Sequence, residues 1–162
     1  ALVDEERVPF ELHHVIEGCV GGYQHAYPNR VFCFTSHTQS SALQGSPDLI
    51  AQMLDKIVAN AVDFSAQGDT ISLSLSRKDK DVCLTVFNPG PLLPDGMKSQ
   101  LVNSMVSVRA QSAQQDTQTP HLGLGLFIAD LIVTFHHGKL HINNAADKSG
   151  VEVTVTFPHK HL

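Results

Sequence analysis

Residues 121–140 read His121-Leu122-Gly123-Leu124-Gly125-Leu126-Phe127-Ile128-Ala129-Asp130-Leu131-Ile132-Val133-Thr134-Phe135-His136-His137-Gly138-Lys139-Leu140, and this stretch decides the reading of the chain. Two glycines separated by one residue lead into an apolar run whose spacing predicts a helix from about Gly125 to His137. Glycine lets main-chain amides approach an anion closely, and the positive end of a helix dipole favours phosphate. Alone, such a turn is as often a plain tight turn as an anion cradle. Its surroundings have to decide.

Downstream, a strand is expected near Lys139–Asn143, a turn at Ala145–Ser149, and a last strand through Val151, Val153, Val155 and Phe157. Upstream, Asn88 to His121 is rich in glycine, proline, serine and glutamine, and only Leu101–Val108 is apolar enough to suggest a short helix. Connections of that length in a compact domain are usually lids or binding loops. Before it, Ile71/Leu73/Leu75 and Val82/Leu84/Val86 alternate on either side of Lys78-Asp79-Lys80-Asp81, the pattern of a hairpin with one buried face.

Ser46-Pro47 is a strong helix start, and Ile50, Met53, Leu54, Ile57, Val58 and Ala61 follow at helical spacing to about Ser65. An earlier stripe, Leu12, Val15, Ile16, Cys19, Val20 and Tyr23, predicts a helix from near Pro9 to before Tyr27-Pro28-Asn29. Between them lie a short strand at Val31–Thr35 and a polar turn region with a second short strand around Ser41–Gln44.

With 162 residues, 42% of them apolar and 17% charged, the chain suits one domain with its own core and neither disorder nor a fibrous repeat. Eleven basic against sixteen acidic residues give a net charge of −5, with no basic footprint for a nucleic-acid backbone. Cys19, Cys33 and Cys83 are odd in number and set among apolar neighbours, as small hydrophobes in a reducing compartment would be. No apolar run approaches the length of a membrane span, and the start of the chain lacks a basic signal-peptide region. The absence of an initial methionine reads as a portion excised from something longer.

Two further patterns accompany the glycine-rich stretch. Lys56-Ile57-Val58-Ala59-Asn60-Ala61-Val62-Asp63-Phe64-Ser65 places Lys56, Asn60 and Asp63 on one helix face, and Val86-Phe87-Asn88-Pro89-Gly90-Pro91-Leu92-Leu93-Pro94 closes a strand. In this order the three segments resemble the asparagine box and the two glycine boxes of the sensor histidine kinase ATP-binding domain. That domain belongs to the superfamily shared with type II topoisomerases, mismatch-repair ATPases and the ninety-kilodalton heat-shock chaperone. The resemblance runs from about Phe10 to Pro158.

It implies an α/β two-layer sandwich, the Bergerat fold, with a mixed, mainly antiparallel sheet of about five strands covered on one face by three helices. It implies ATP and Mg²⁺ as cofactors. Asn60 matches the family's magnesium ligand, Asn88 the usual aspartate that accepts from the adenine amino group, and Gly90 the close approach of backbone to the ring. Phe64 would line the adenine pocket, Leu93 corresponds to the apolar residue after the first glycine box, Gly123, Leu124, Gly125 and Leu126 would supply the phosphate-facing backbone, and Arg109 resembles the arginine that precedes the lid. Residues 1–162 would then be one catalytic domain, with 1–9 the end of a linker and 110–122 the lid. The implied reaction is γ-phosphoryl transfer to a histidine on a separate dimerisation domain, and from there to a response regulator. Cytoplasmic placement in a membrane-anchored bacterial sensor, and a monomeric isolated domain, are further implications.

Departures from the pattern are Asn88 for aspartate, Leu92 for a second glycine, Val102 for an aromatic, and Asp63 where many relatives are basic. An unpaired carboxylate beside a triphosphate is repulsive unless it meets a cation, and Lys56, two turns earlier, could supply charge. A degenerate nucleotide-binding or scaffolding module, or an ATPase or serine kinase of the superfamily, therefore stays open. His136-His137 and His141 are read as structural, the pair closing a helix whose dipole favours imidazolium. His13-His14 lacks the acidic residue and proline that follow a phosphoacceptor histidine, so the acceptor is expected outside this chain.

Overall fold

The computed structural model describes residues 6–93 and 122–159. In chain order the elements are β1 (Val8–Glu11), α1 (Leu12–Ala26), β2 (Val31–Ser36), β3 (Ala42–Gly45), α2 (Pro47–Asp63), β4 (Thr70–Lys78), β5 (Asp81–Pro89), α3 (Leu122–Phe135), β6 (Lys139–Asn144) and β7 (Gly150–Pro158).

The alternating runs form the expected hairpin, with Leu73 opposite Val86 and Leu75 opposite Leu84. β5 continues antiparallel to β7, β7 to β6, and β2 adds in parallel beside β4, so the sheet order is β2-β4-β5-β7-β6. Because side chains alternate across a strand, Ile71, Leu73, Leu75, Val82, Leu84, Val86, Val153, Val155 and Phe157 all reach one buried face. Three helices cover that face. Ser72, Ser74, Cys83, Thr85 and Thr154 line the other face, and among the free cysteines Cys33 is exposed and Cys19 half-buried.

α2 is the central covering element and buries Leu49, Ile50, Met53, Leu54, Ile57, Val58 and Ala61. It starts as the sequence predicts: Ser46 Oγ accepts from the Leu49 N–H at 3.2 Å, with Pro47 in the first turn. α1 packs beside it through Leu12, Ile16 and Tyr23, and the Tyr23 hydroxyl donates to Asp55 Oδ1 at 2.6 Å. Burial, then the Asp55 carboxylate, holds that phenol far above its ordinary pKa.

The start of α1 differs from the expectation. Val8–Glu11 is a strand, not the first turn of the helix, and pairs with β3 in a separate two-stranded ribbon. Pro9 is tolerated there because an edge strand needs no proline N–H. The helix is capped by a distant residue: the Ser41 carbonyl accepts from the Leu12 N–H and Ser41 Oγ from the His13 N–H, each at 3.0 Å. α2 ends at Asp63 rather than Ser65, and α3 begins at Leu122 rather than Gly125 and ends at Phe135 rather than His137.

Candidate functional site

α2 and α3 pack side by side, and the seam opens into a cleft of about 360 Å³. Lys56, Ala59, Asn60 and Asp63 line it from α2, and Leu124, Gly125 and Ile128 line it from α3. The helical repeat that buries Ile57 and Ala61 turns Lys56, Asn60 and Asp63 toward this opening. Their side chains form no hydrogen bond or ion pair with any described residue. A Cβ on Gly125 would stand 4.0 Å from the Lys56 carbonyl, at ordinary van der Waals distance, so the glycine keeps the cleft open without a packing need of its own.

Leu122, Gly123 and Leu124 occupy the first turn of α3, whose N–H groups have no partner within a helix. Leu126 lies one turn further in, with its side chain fully buried in the core. The glycines therefore stand inside the first turns and not ahead of them.

The second wall lies where β5 meets the C-terminus of α2. Asn88 follows Val82, Leu84 and Val86 on the helix-covered face and is 3% exposed. Its Nδ2 donates to the Pro89 carbonyl at 3.1 Å, and no described residue engages Oδ1. Gly90 has φ +133°, and a Cβ there would come within 2.7 Å of the Phe64 carbonyl, so only glycine brings strand and helix end this close. Gly150 is pressed in the same way against the Asn88 carbonyl.

The sequence reading missed two residues of this wall. Asn144, at the end of β6, clamps Leu93: the Leu93 N–H donates to Asn144 Oδ1 at 2.8 Å and Asn144 Nδ2 donates to the Leu93 carbonyl at 3.2 Å. Arg30 donates to Ser65 Oγ at 2.7 Å and to the Val62 and Ser65 carbonyls at 3.2 Å. Neither contact has a local sequence signal, since each joins residues far apart in the chain. Arg109, Val102 and residues 110–121 of the expected lid fall outside the described residues, while Leu122 belongs to α3 and not to a lid; Leu92 is exposed beside Leu93.

A second cavity, about 330 Å³, sits at the opposite end of α3 between Arg7, Leu43, Gln44, His136, His137, Phe157 and Pro158. Arg7 lies 4.1 Å over the Phe135 ring and donates to the Phe135 carbonyl at 2.9 Å. His136 is 4% exposed; its Nε2 accepts from the Ser46 N–H at 3.0 Å and its Nδ1 faces the Ile132 carbonyl at 2.8 Å. That pairing requires a neutral ring, with the proton on Nδ1, and burial pushes its pKa below the ordinary value. The expected imidazolium at the helix end is thus corrected for His136, because desolvation there outweighs the dipole.

A sheet covered by three helices, with a cleft at the glycine-rich start of one of them, defines a nucleotide-binding class of domain. The family described as "Histidine kinase-, DNA gyrase B-, and HSP90-like ATPase" matches residues 45–161, and the chain belongs to it. It is a histidine kinase-like ATPase catalytic domain of an ATP-binding family.

Among relatives, the bacteriophytochrome of Pseudomonas aeruginosa is 29% identical over 118 residues, covering 73% of this chain and 16% of that protein. The sensor protein BasS of Escherichia coli is 29% identical over 113 residues, covering 70% and 29%. The chain therefore spans less than a third of the length of either.

The catalytic domain of histidine kinase ThkA superposes with a TM-score of 0.78 at 24% identity, covering 96% of this chain and 97% of that one. The mycobacterial sensor kinase MprB gives 0.77 at 19%, covering 96% and 99%. These likenesses establish the fold. Among the described residues no helix is long and apolar enough to cross a membrane.

Proposed function

We propose that the cleft between α2 and α3 binds ATP with Mg²⁺, and that its γ-phosphoryl group passes to a histidine on a separate dimerisation domain of a two-component sensor kinase. One observation carries this reading: Lys56, Asn60 and Asp63, with no described partner, face the first turns of α3 across an open cleft. Main-chain N–H groups of the first turn of α3, Gly123 and Leu124 among them, would meet the phosphates, with Gly125 leaving room beside them and Leu126 anchoring the helix in the core. Adenine would lie toward Phe64, Gly90 and Leu93, its amino group donating to Asn88 Oδ1, and Arg109 with residues 110–121 would close over the phosphates.

Asn60 and Asp63 offer oxygen donors on the same face of α2, a set suited to a hard cation that keeps phosphate and water among its ligands. Asn60 is the expected ligand. When bound, Mg²⁺ would neutralise phosphate charge and remove the repulsion that Asp63 would otherwise exert. Phosphoryl transfer asks mainly for positioning and charge stabilisation: the bond from Pγ to the β-γ bridging oxygen breaks, a bond from the acceptor nitrogen to Pγ forms, and ADP leaves.

Residues 1–162 would act as one catalytic domain in the cytoplasmic part of a membrane-anchored sensor kinase, receiving its acceptor histidine from another part of the same protein. The phosphoryl group would continue to a response regulator, the class of protein found in complex with ThkA. Calorimetric titration with ATP-Mg²⁺ tests the site. Asn60→Ala is expected to weaken binding about tenfold, the loss of one ion contact worth about 1.4 kcal/mol, without altering the fold. No heat with the native chain overturns the reading. Binding without histidine labelling in a longer protein that carries the acceptor would leave a nucleotide-binding module.

A further inference from the structure

The C-terminal turn of α2 bears on the nucleotide end of the cleft; the Phe64 N–H donates to the Asn60 carbonyl at 3.2 Å and the Ser65 N–H and Oγ donate to the Val62 carbonyl at 3.1 and 2.9 Å, yet α2 brings no charge of its own to this end. That helix has no basic residue in its last turn to offset its own terminal carbonyls. The charge comes from Arg30, just before β2. Its guanidinium donates to the Val62 carbonyl and to both the carbonyl and hydroxyl of Ser65, bracketing Phe64 on either side. The flanking backbone reinforces the clamp: the Gly68 N–H donates to the Asn29 carbonyl at 2.7 Å and the Val31 N–H to the Asp69 carbonyl at 3.0 Å. Between the two bracketed residues, the Phe64 carbonyl is the surface against which Gly90 is pressed.

We propose that Arg30 is a positioning residue for the base end of the cleft: by fixing residues 62–65 it sets where Phe64 stands relative to Gly90. The inference rests on the reading of the cleft as an ATP site and adds a residue that touches no ligand. Arg30 reaches the Phe64 end of α2, whereas Gly123–Leu126 belong to another helix. Losing Arg30 therefore loosens the wall beside the base, while at the phosphate end only Asp63 lies within the loosened turn and Asn60 and the first turn of α3 stay as they were. A hydrogen bond from a charged donor is worth more than a neutral one, and three of them give the turn its rigidity.

The test compares titrations of ATP-Mg²⁺ and of inorganic tripolyphosphate with Mg²⁺ on the native chain and on Arg30→Ala, Arg30→Lys and Ser65→Ala. Arg30→Ala is expected to weaken ATP about tenfold and tripolyphosphate less than twofold. Arg30→Lys should recover part of the loss, and Ser65→Ala, which removes one acceptor of Arg30 and the hydroxyl donation to the Val62 carbonyl, should lose less than Arg30→Ala because Arg30 still holds both carbonyls. Faster amide exchange at Phe64 and Ser65 should accompany the ATP loss in Arg30→Ala. Equal weakening of both ligands would make Arg30 a general stabiliser and overturn the proposal. Unchanged ATP affinity in Arg30→Ala, with the native chain binding ATP, would overturn it too and leave the site intact. Failure of the native chain to bind ATP would remove the site reading, and the proposal with it.

Discussion

The two ends of α3 carry cavities of similar size, about 360 Å³ beside its glycines and about 330 Å³ beside its last turn. Volume does not separate them. At the last turn Arg7 is bound to the Phe135 carbonyl and both ring nitrogens of the buried His136 have partners, while Gln44 and His137 are exposed. At the first turns, Lys56, Asn60 and Asp63 are unengaged among the described residues, and glycine leaves backbone in reach. A ligand entering the first cavity gains interactions, while one entering the second must break them first. The closed end is structural and the open end is available.

Substitution of a glycine at each end sharpens that contrast. At the closed end, a Cβ on Gly138 would run into the Thr156 carbonyl and come within 2.8 Å of the Phe157 ring. Gly138→Ala is expected to cost about 2–3 kcal/mol, a fall of about 5–10 °C in Tm, with ATP affinity of the folded protein unchanged. At the open end Gly125→Ala should do the reverse. Among the described residues outside its own helix the methyl meets no atom closer than the Lys56 carbonyl at 4.0 Å, and alanine favours a helix over glycine by up to about 1 kcal/mol. Thermal stability should rise slightly while ATP affinity falls about threefold, about 0.65 kcal/mol. A Gly125→Ala variant that binds ATP as tightly as the native chain would break the comparison.

The smallest effect is expected from pH. Burial depresses the pKa of His136 in the folded protein, so the unfolded chain takes up its proton first. The contribution of this ring is complete above the unfolded value of about 6.5 and is lost as pH falls toward the folded one. Denaturant titrations should show stability declining below pH 6.5 with at most one proton's slope from this residue, about 1.4 kcal/mol per pH unit. His136→Gln, which keeps an acceptor for the Ser46 N–H, should flatten that part of the profile. An identical slope in the variant would mean that the ring is not held neutral.

Sheet, helices and the α2 face were legible because each rests on periodicity within a window of sequence. Ile71/Leu73/Leu75 against Val82/Leu84/Val86, and the stripe from Ile50 to Ala61, needed no partner to be read. β1 was not legible, since four residues around Pro9 become a strand only through β3, and Ser41 caps α1 from another loop. The same cause hid Arg30 and Asn144, whose bonds cross the fold. His136 was rightly read as structural, but its neutral state was not legible, because a helix-end position was visible in sequence and its burial under Gly45 and Phe157 was not.

β5 pairs along its whole length with β7, and α2 packs on α3, so the segments before Leu93 and after Leu122 are stitched together through the middle of the sheet. Cutting the peptide chain between those two points would leave that stitching untouched. Two separately made polypeptides, one ending after Leu93 and one starting at Leu122, are positioned to reassemble into a single particle by strand exchange across β5 and β7. Such a split pair would divide Asn60 from Gly125, making nucleotide uptake a reporter of their reunion.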